Sequence, residues 1–343
     1  MSRLFARPRR RAQRLATVLA TSLLLAACGG GGSDSAAPAA GGWTPKRNIE
    51  WIVPYSPGGG FDVYSRGIAE VMQSDSHLPD GVNVVVRNVT PLPQGIYSTF
   101  SADADGYTVG ILPMPAAIAQ EIQNPGVARW KTEEFTVLGQ VDENAYVVYV
   151  PADSPYTSID QLIAARGLRT VTVEKGSSSA LAGLATIQAL GLDATVTYGA
   201  EGSAEVVTAA LRGDADFFVY GSTDVVGFIE SGDVRPLLFL GTEDQRPAEL
   251  PWLKDVPNVA DVGFPKLAGT VTELRVIVAP PHLPTEVAEY LRRTVYETMT
   301  SKAFADWAAG AKRPIVPRDY AKAEQAVAAQ VVQMRELVPA LSR

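Results

Sequence analysis

Between residues 48 and 337 the chain alternates short apolar runs with amphipathic stretches, and few folds accept that alternation. Strand-like runs fall at 48–54, 82–87, 107–112, 136–150, 170–174, 194–197, 216–219, 234–240 and 273–279. Helical periodicity falls at 61–73, 94–101, 115–122, 158–165, 178–190, 202–212, 223–230, 284–299, 301–309 and 318–337. Strands separated by helices predict parallel, doubly wound α/β sheets. Two strands, 136–150 and 275–279, are long or isolated enough to cross between domains, although Asp142-Glu143-Asn144 interrupts the first. One domain is then discontinuous, 46–144 plus 274–343, and the other is an insert, 145–273. Two α/β domains with two crossings make a cleft, and hinge motion around a ligand is the usual use of that design.

Within this pattern, Ser56-Pro57-Gly58-Gly59-Gly60 joins an apolar strand to a helix beginning near Phe61. Glycines let a backbone approach an anion, and the helix N-terminus adds partial positive charge. The loop fits neither G-x-x-x-x-G-K-[ST] nor G-x-G-x-x-G, so a nucleotide phosphate is disfavoured. An ordinary tight turn remains the other reading. Asp62 and Arg66, spaced i, i+4, form either a surface ion pair or a device that fixes the loop. A second loop, Lys175 to Ser179, precedes a helix that its serines can cap. A third runs from Tyr198 to Ser203. All three lie at carboxyl ends of strands, where open α/β sheets bind ligands. Tyr55, Phe61, Tyr198, Phe218 and Tyr220 stand at or near strand ends, and one or two of them can wall a pocket.

The amino terminus reads as a targeting segment. Six arginines precede an apolar core, 15–27, that is too short to span a bilayer. The core ends in Leu-Ala-Ala-Cys, which resembles a bacterial lipoprotein box. Residues 1–27 are then a lipoprotein signal peptide, Cys28 is the lipidated residue, and 28–45 is a flexible tether rich in Gly, Ala, Ser and Pro. Two acyl chains, at about 0.8 kcal/mol per buried CH₂, would hold such a protein at a membrane surface. Cys28 is the only cysteine, so no internal disulfide is expected. Removing residues 1–27 takes six of the 30 basic residues and none of the 37 acids, so the net charge falls from −7 to −13. Nucleic-acid binding is disfavoured by that charge, and an anionic ligand would have to be held by local amides.

Signals for catalysis are weak. The two histidines, His77 and His282, lie in polar or proline-rich turns, and without a base the serines at 177–179 make no convincing nucleophile. Neither H-e-x-x-H nor C-x-x-C spacing is present, so no metal or other cofactor is expected. Asp103/Asp105 and Asp214/Asp216 read as turn residues.

Several landmarks resemble one family in order. They are residues 53–62 with Arg66, Val-Val-Val-Arg-Asn at 84–88, Asp-Gly-Tyr-Thr at 105–108, Phe-Thr-Val-Leu at 135–138, the loop at 175–180, Val-Thr-Tyr-Gly at 196–199, Gly-Asp-Ala-Asp at 213–216 and Ile-Val-Ala-Pro at 277–280. Together these resemble the TctC-like, or Bug, solute receptors of the tripartite tricarboxylate transporters, over about residues 47–340. The resemblance implies a type II periplasmic-binding-protein fold, two doubly wound α/β domains joined by two crossover strands with a ligand cleft between them. It implies a monomer without cofactor or enzymatic activity that closes on a small organic carboxylate. It places the ligand at Ser56, Gly58, Gly59, Gly60 and Asp62, with Gly176, Ser177 and Ser178 from the second loop and Tyr198 near the cleft. The partners implied are the ligand, membrane permease subunits and, through the lipid, the extracytoplasmic membrane surface. Three segments depart from the family pattern: 88–95, 112–115 and 198–201, the last lacking a usual lysine. They leave the identity of the solute open. A sensing receptor on the same fold is the alternative function, ahead of an enzyme or a structural lipoprotein.

Overall fold

The computed structural model describes residues 42–75 and 77–341. The leader, Cys28 and the tether as far as residue 41 lie outside the described residues. In chain order the first elements are β1 (Ile49–Val53), α1 (Gly60–Ser74), β2 (Val84–Asn88), α2 (Leu92–Phe100), β3 (Thr108–Pro113), α3 (Met114–Gln123) and β4 (Thr136–Pro151). Next come α4 (Ile159–Ala164), β5 (Leu168–Thr172), α5 (Ser178–Leu190), β6 (Ala194–Tyr198), α6 (Ser203–Leu211), β7 (Phe218–Gly221), α7 (Val226–Glu230) and β8 (Val234–Phe239). The chain ends with β9 (Thr272–Ala279), α8 (Thr285–Thr300), α9 (Lys302–Gly310) and α10 (Tyr320–Leu341).

β1 is flanked by β2 and β3, both parallel to it. Covered on both faces, it is apolar almost throughout, as a central parallel strand must be. β2 lies at the edge of the sheet and alternates instead, with Val84 buried and Val85 exposed. α1 turns Tyr64, Ile68, Val71 and Met72 inward and leaves Arg66 and Glu70 outside, the stripe expected of a helix packed on a sheet. Gly67 is required there, because a Cβ would lie 2.2 Å from the Trp307 ring of α9.

The expectation of parallel sheets holds for part of the fold and is corrected for the rest. β9 runs antiparallel to both β3 and β4, and β7 and β8 run antiparallel to β4. Parallel ladders join β2–β1–β3 and the separate β5–β6 pair, with isolated parallel bridges at Thr170–Phe217 and Phe239–Asn258. The reason is the crossing itself: the chain leaves along β4 and returns along β9, so neighbouring strands must point opposite ways. β4 pairs β9 from Thr136 to Ala145 and then changes partners to β7 and β8 from Tyr146 onward.

The polar triplet 142–144 does not interrupt β4, because each side chain has a partner. Asp142 meets Arg275 directly across the β4–β9 ladder. Glu143 accepts from Gln245 Nε2 at 2.6 Å and pairs with Arg318. Asn144 donates to Asp224 at 3.0 Å and accepts from Ser222 at 2.9 Å.

Three apolar clusters support this frame. One gathers β1, α1, α8 and α9, with Ile52's neighbours Trp51 and Val53 among its residues. Another gathers the second half of β4 with α6, β7 and β8. The third, which includes Leu112, Val148, Leu181, Val276 and Met334, continues across β4 and β9 under α3, α5 and α10. The chain from Gly42 onward forms one compact unit. Asp105 fulfils its turn reading, its Oδ1 accepting the Tyr107 N–H at 3.0 Å. No described helix is long and apolar enough to cross a membrane.

Candidate ligand-binding site

The loop from β1 to α1 is held from behind. Gly58 has φ +86°, a region that side chains disfavour. Its N–H donates to Asp62 Oδ2 at 2.9 Å. The same buried carboxylate accepts from Arg66 Nε at 3.0 Å and Asn88 Nδ2 at 2.9 Å, and Asn88 also donates to the Tyr55 carbonyl. Burial acts to raise the Asp62 carboxyl, but hydrogen bonds from Arg66, the Gly58 N–H and Asn88 outweigh it and hold the group below its ordinary range. Asp62 therefore fixes the loop from the side away from the cavity. Among the described residues, the N–H groups of Gly59, Gly60 and Phe61 have no protein acceptor. They are the orphan donors of the α1 N-terminus.

These donors border a cavity of about 340 Å³. Tyr55, Ser56, Pro57, the three glycines and Phe61 line it on the β1–α1 side. Val173 and Ser179 line it from the loop after β5 and the start of α5, and residues 201–205 from the loop after β6 and the start of α6. Tyr146 of β4, Tyr220 of β7, Asp224 just beyond β7, and Glu273 and Arg275 of β9 complete it.

Of the residues expected from the sequence, Ser56, Gly58, Gly59 and Gly60 line the cavity, while Asp62, Gly176, Ser177, Ser178 and Tyr198 do not. β5 ends at Thr172, two residues earlier than its apolar run suggests, and the following loop turns against α3. There Gln120 Nε2 donates to the Lys175 carbonyl at 2.8 Å, and a Cβ on Gly176 would lie 2.6 Å from the same nitrogen. Ser177 caps α5 by accepting the Ala180 N–H at 3.3 Å. Ser178 donates to Glu273 Oε1 at 3.1 Å and so supports a lining residue. Only Ser179 of that group reaches the cavity. Tyr198 ends the edge strand β6 and is 37% exposed. Of the third loop, Glu201, Gly202 and Ser203 line the cavity, followed by Ala204 and Glu205 of α6.

Five polar lining residues are not singled out by the sequence: Tyr146, Glu205, Asp224, Glu273 and Arg275. Arg275 is 1% exposed. Its Nη1 pairs with Asp142, its Nη2 lies 2.9 Å from both carboxylate oxygens of Asp224, and its Cζ sits 4.9 Å from the Phe61 ring centroid. Gly60 rests on this pair. A Cβ there would lie 2.1 Å from Asp224 Oδ1 and 2.8 Å from Arg275 Nη2. Glu273 accepts from the Tyr146 hydroxyl at 3.0 Å and from Ser178, and burial pushes its carboxyl up to about 7. The available signal was the i, i+2 spacing of Glu273 and Arg275, which puts two opposite charges on one face of an otherwise apolar strand. His77 and His282 lie away from this cavity, and no described group of His, Cys, Asp and Glu side chains is placed to hold a metal.

Comparison with known proteins agrees with this geometry. Residues 83–342 match the TctC family, described as the tripartite tricarboxylate transporter family receptor. Protein BugT of Bordetella pertussis is 26% identical over 285 residues, covering 79% of this chain and 82% of BugT. The structure of the periplasmic binding protein BugD superposes with a TM-score of 0.74 at 22% identity, covering 87% and 98% of the two chains. MatC of Rhodopseudomonas palustris, solved with bound malate, gives 0.73 at 18% identity, covering 86% and 99%. With three quarters of its length matched and the binding-protein fold in place, the chain belongs to the TctC family of tripartite tricarboxylate transporter receptors, which bind solutes and are not enzymes.

Proposed function

We propose that this protein is an extracytoplasmic receptor, anchored by lipid at Cys28, that captures a small organic carboxylate and hands it to a tripartite tricarboxylate-type membrane permease. Capture works by closure of residues 145–273 on residues 46–144 plus 274–343, with the ligand between the first glycine loop and residues 201–205. The observation that carries this reading is the set of unpartnered N–H groups of Gly59, Gly60 and Phe61 at the start of α1, three residues that line a cavity of about 340 Å³. Malate in MatC supports a carboxylate as the ligand class. The acidic chain places no lysine in the cavity lining, so neutral backbone donors are what the protein offers a carboxylate.

Gly59→Asp tests the site. Gly59 is the N-cap of α1, with φ −74° and no contact closer than 3.8 Å to an added Cβ, so a side chain fits. An aspartate there would turn its own carboxylate onto the free N–H groups. The variant should fold with wild-type thermal stability. A true ligand at 100 times its Kd adds about 2.7 kcal/mol of stability to the wild type, and the variant should gain almost none. A variant that still responds like wild type places the ligand elsewhere.

A further inference from the structure

The cavity that would receive the carboxylate is itself acidic. Glu201, Glu205, Asp224 and Glu273 line it, against the single cation Arg275. Arg275 is already committed through both terminal nitrogens, to Asp142 and Asp224, and only its buried Nε lacks an acceptor. Glu273 is 6% exposed and has no cationic hydrogen-bond partner. Each of its oxygens accepts one hydroxyl, from Tyr146 and from Ser178, and each keeps a further acceptor site. The Tyr55, Tyr146 and Tyr220 rings stand in the same lining. A second carboxylate on the ligand would enter among these acids with no free cation to meet it. A cationic nitrogen would meet acceptors and aromatic faces, both of which favour it.

We propose that the ligand is a zwitterion, with its carboxylate on the N–H groups of Gly59, Gly60 and Phe61 and its cationic nitrogen facing Glu273. This rests on the receptor reading above and names the class of solute. Glu273 becomes the residue that selects amino or trimethylammonium carboxylates over dicarboxylates. Asp224, held by Arg275 and Asn144, contributes negative field from the same side.

Thermal-shift and calorimetric titration of the full chain test this. The probes are α-amino acids, straight-chain ω-amino acids of three to six carbons and their trimethylammonium counterparts. Each is compared with the monocarboxylate and dicarboxylate of equal length. At least one zwitterion should bind tenfold or more tightly than its matched dicarboxylate and monocarboxylate. Its affinity should rise between pH 6 and pH 8, where the ligand's own charges are constant and Glu273 ionises among Tyr55, Tyr146, Ser178, Tyr220, Asp224 and Arg275. Glu273→Gln should lower that affinity about tenfold and abolish its rise with pH. If matched dicarboxylates or monocarboxylates bind as tightly, or if affinity falls as pH rises because a protonated Glu273 donates to the ligand, the zwitterion is wrong and the carboxylate receptor stands. If no carboxylate of any kind is bound, the receptor reading fails with it. The wild-type panel and pH series decide these outcomes even if the Gln variant does not fold.

Discussion

Replacing Arg275 with methionine should cost about 3–5 kcal/mol of stability at neutral pH, the usual result of removing one partner from a buried ion pair. Methionine fills much of the arginine's volume, so the loss reports charge rather than a cavity. What remains is Asp142, fully buried, and Asp224, whose side chain is about one-tenth exposed. Asp142 is poised against burial already: desolvation pushes its carboxyl up to about 6 even with Arg275 beside it. Without the guanidinium it should protonate more readily still, so the deficit should shrink as pH is lowered. Adding Asp142→Leu to Arg275→Met should recover much of the loss, because replacing a buried pair by apolar groups is often nearly neutral. Urea denaturation at pH 7 and pH 5 measures all three proteins. A single variant that loses less than about 1 kcal/mol at pH 7 means that the pair does not hold β4, β9 and the turn after β7 together as described.

That ion pair also marks the boundary of what the sequence makes legible. β1, the glycine loop and α1 are readable because apolar spacing and glycine signals are local. The helix expected at 178–190 coincides with α5. Asp142, Asp224 and Arg275 are far apart in the chain, and no local pattern connects them. Taken alone, Asp142-Glu143-Asn144 looks like a break in a strand. In the fold it is continuous, because strands brought alongside supply each polar group with a partner. The antiparallel run of β9 follows from topology, which periodicity does not encode. The site shows the same division. The first loop is local and lines the cavity. The loop after β5 depends on where that strand stops, and its early stop sends Glu174 to the N–H of Leu92 at the start of α2, 3.2 Å away, while Gly176 packs on Gln120. The segment at 88–95 is one of the three that depart from the family pattern. Its helix start is met by a carboxylate of the protein itself.

Glu273 should make the ligand-free protein lose stability as pH rises from 6 to 8. Its carboxyl ordinarily titrates near 4.5, and in the folded chain burial, opposed only in part by Arg275 and by the hydroxyls of Tyr146 and Ser178, pushes it up to about 7. A raised carboxyl means that the folded state holds the proton more tightly than the unfolded state does. The resulting stabilisation is complete below the unfolded value and disappears as pH climbs through about 7, a difference of about 3 kcal/mol. Asp142 acts with the same sign, but its carboxyl titrates lower, near 6, and Asp62 and Glu243, whose carboxyls are lowered, act well below this window. Most of the slope above pH 6.5 should therefore belong to Glu273. Glu273→Gln should flatten it, since glutamine stays neutral and the Tyr146 and Ser178 hydroxyls can turn to accept from its amide. Unfolding in urea at half-unit pH intervals, with wild type and variant side by side, gives the comparison. Equal slopes in the two proteins would show that the buried carboxyl keeps one charge state throughout, and that the polar wall of the cavity is solvated more strongly than its burial indicates.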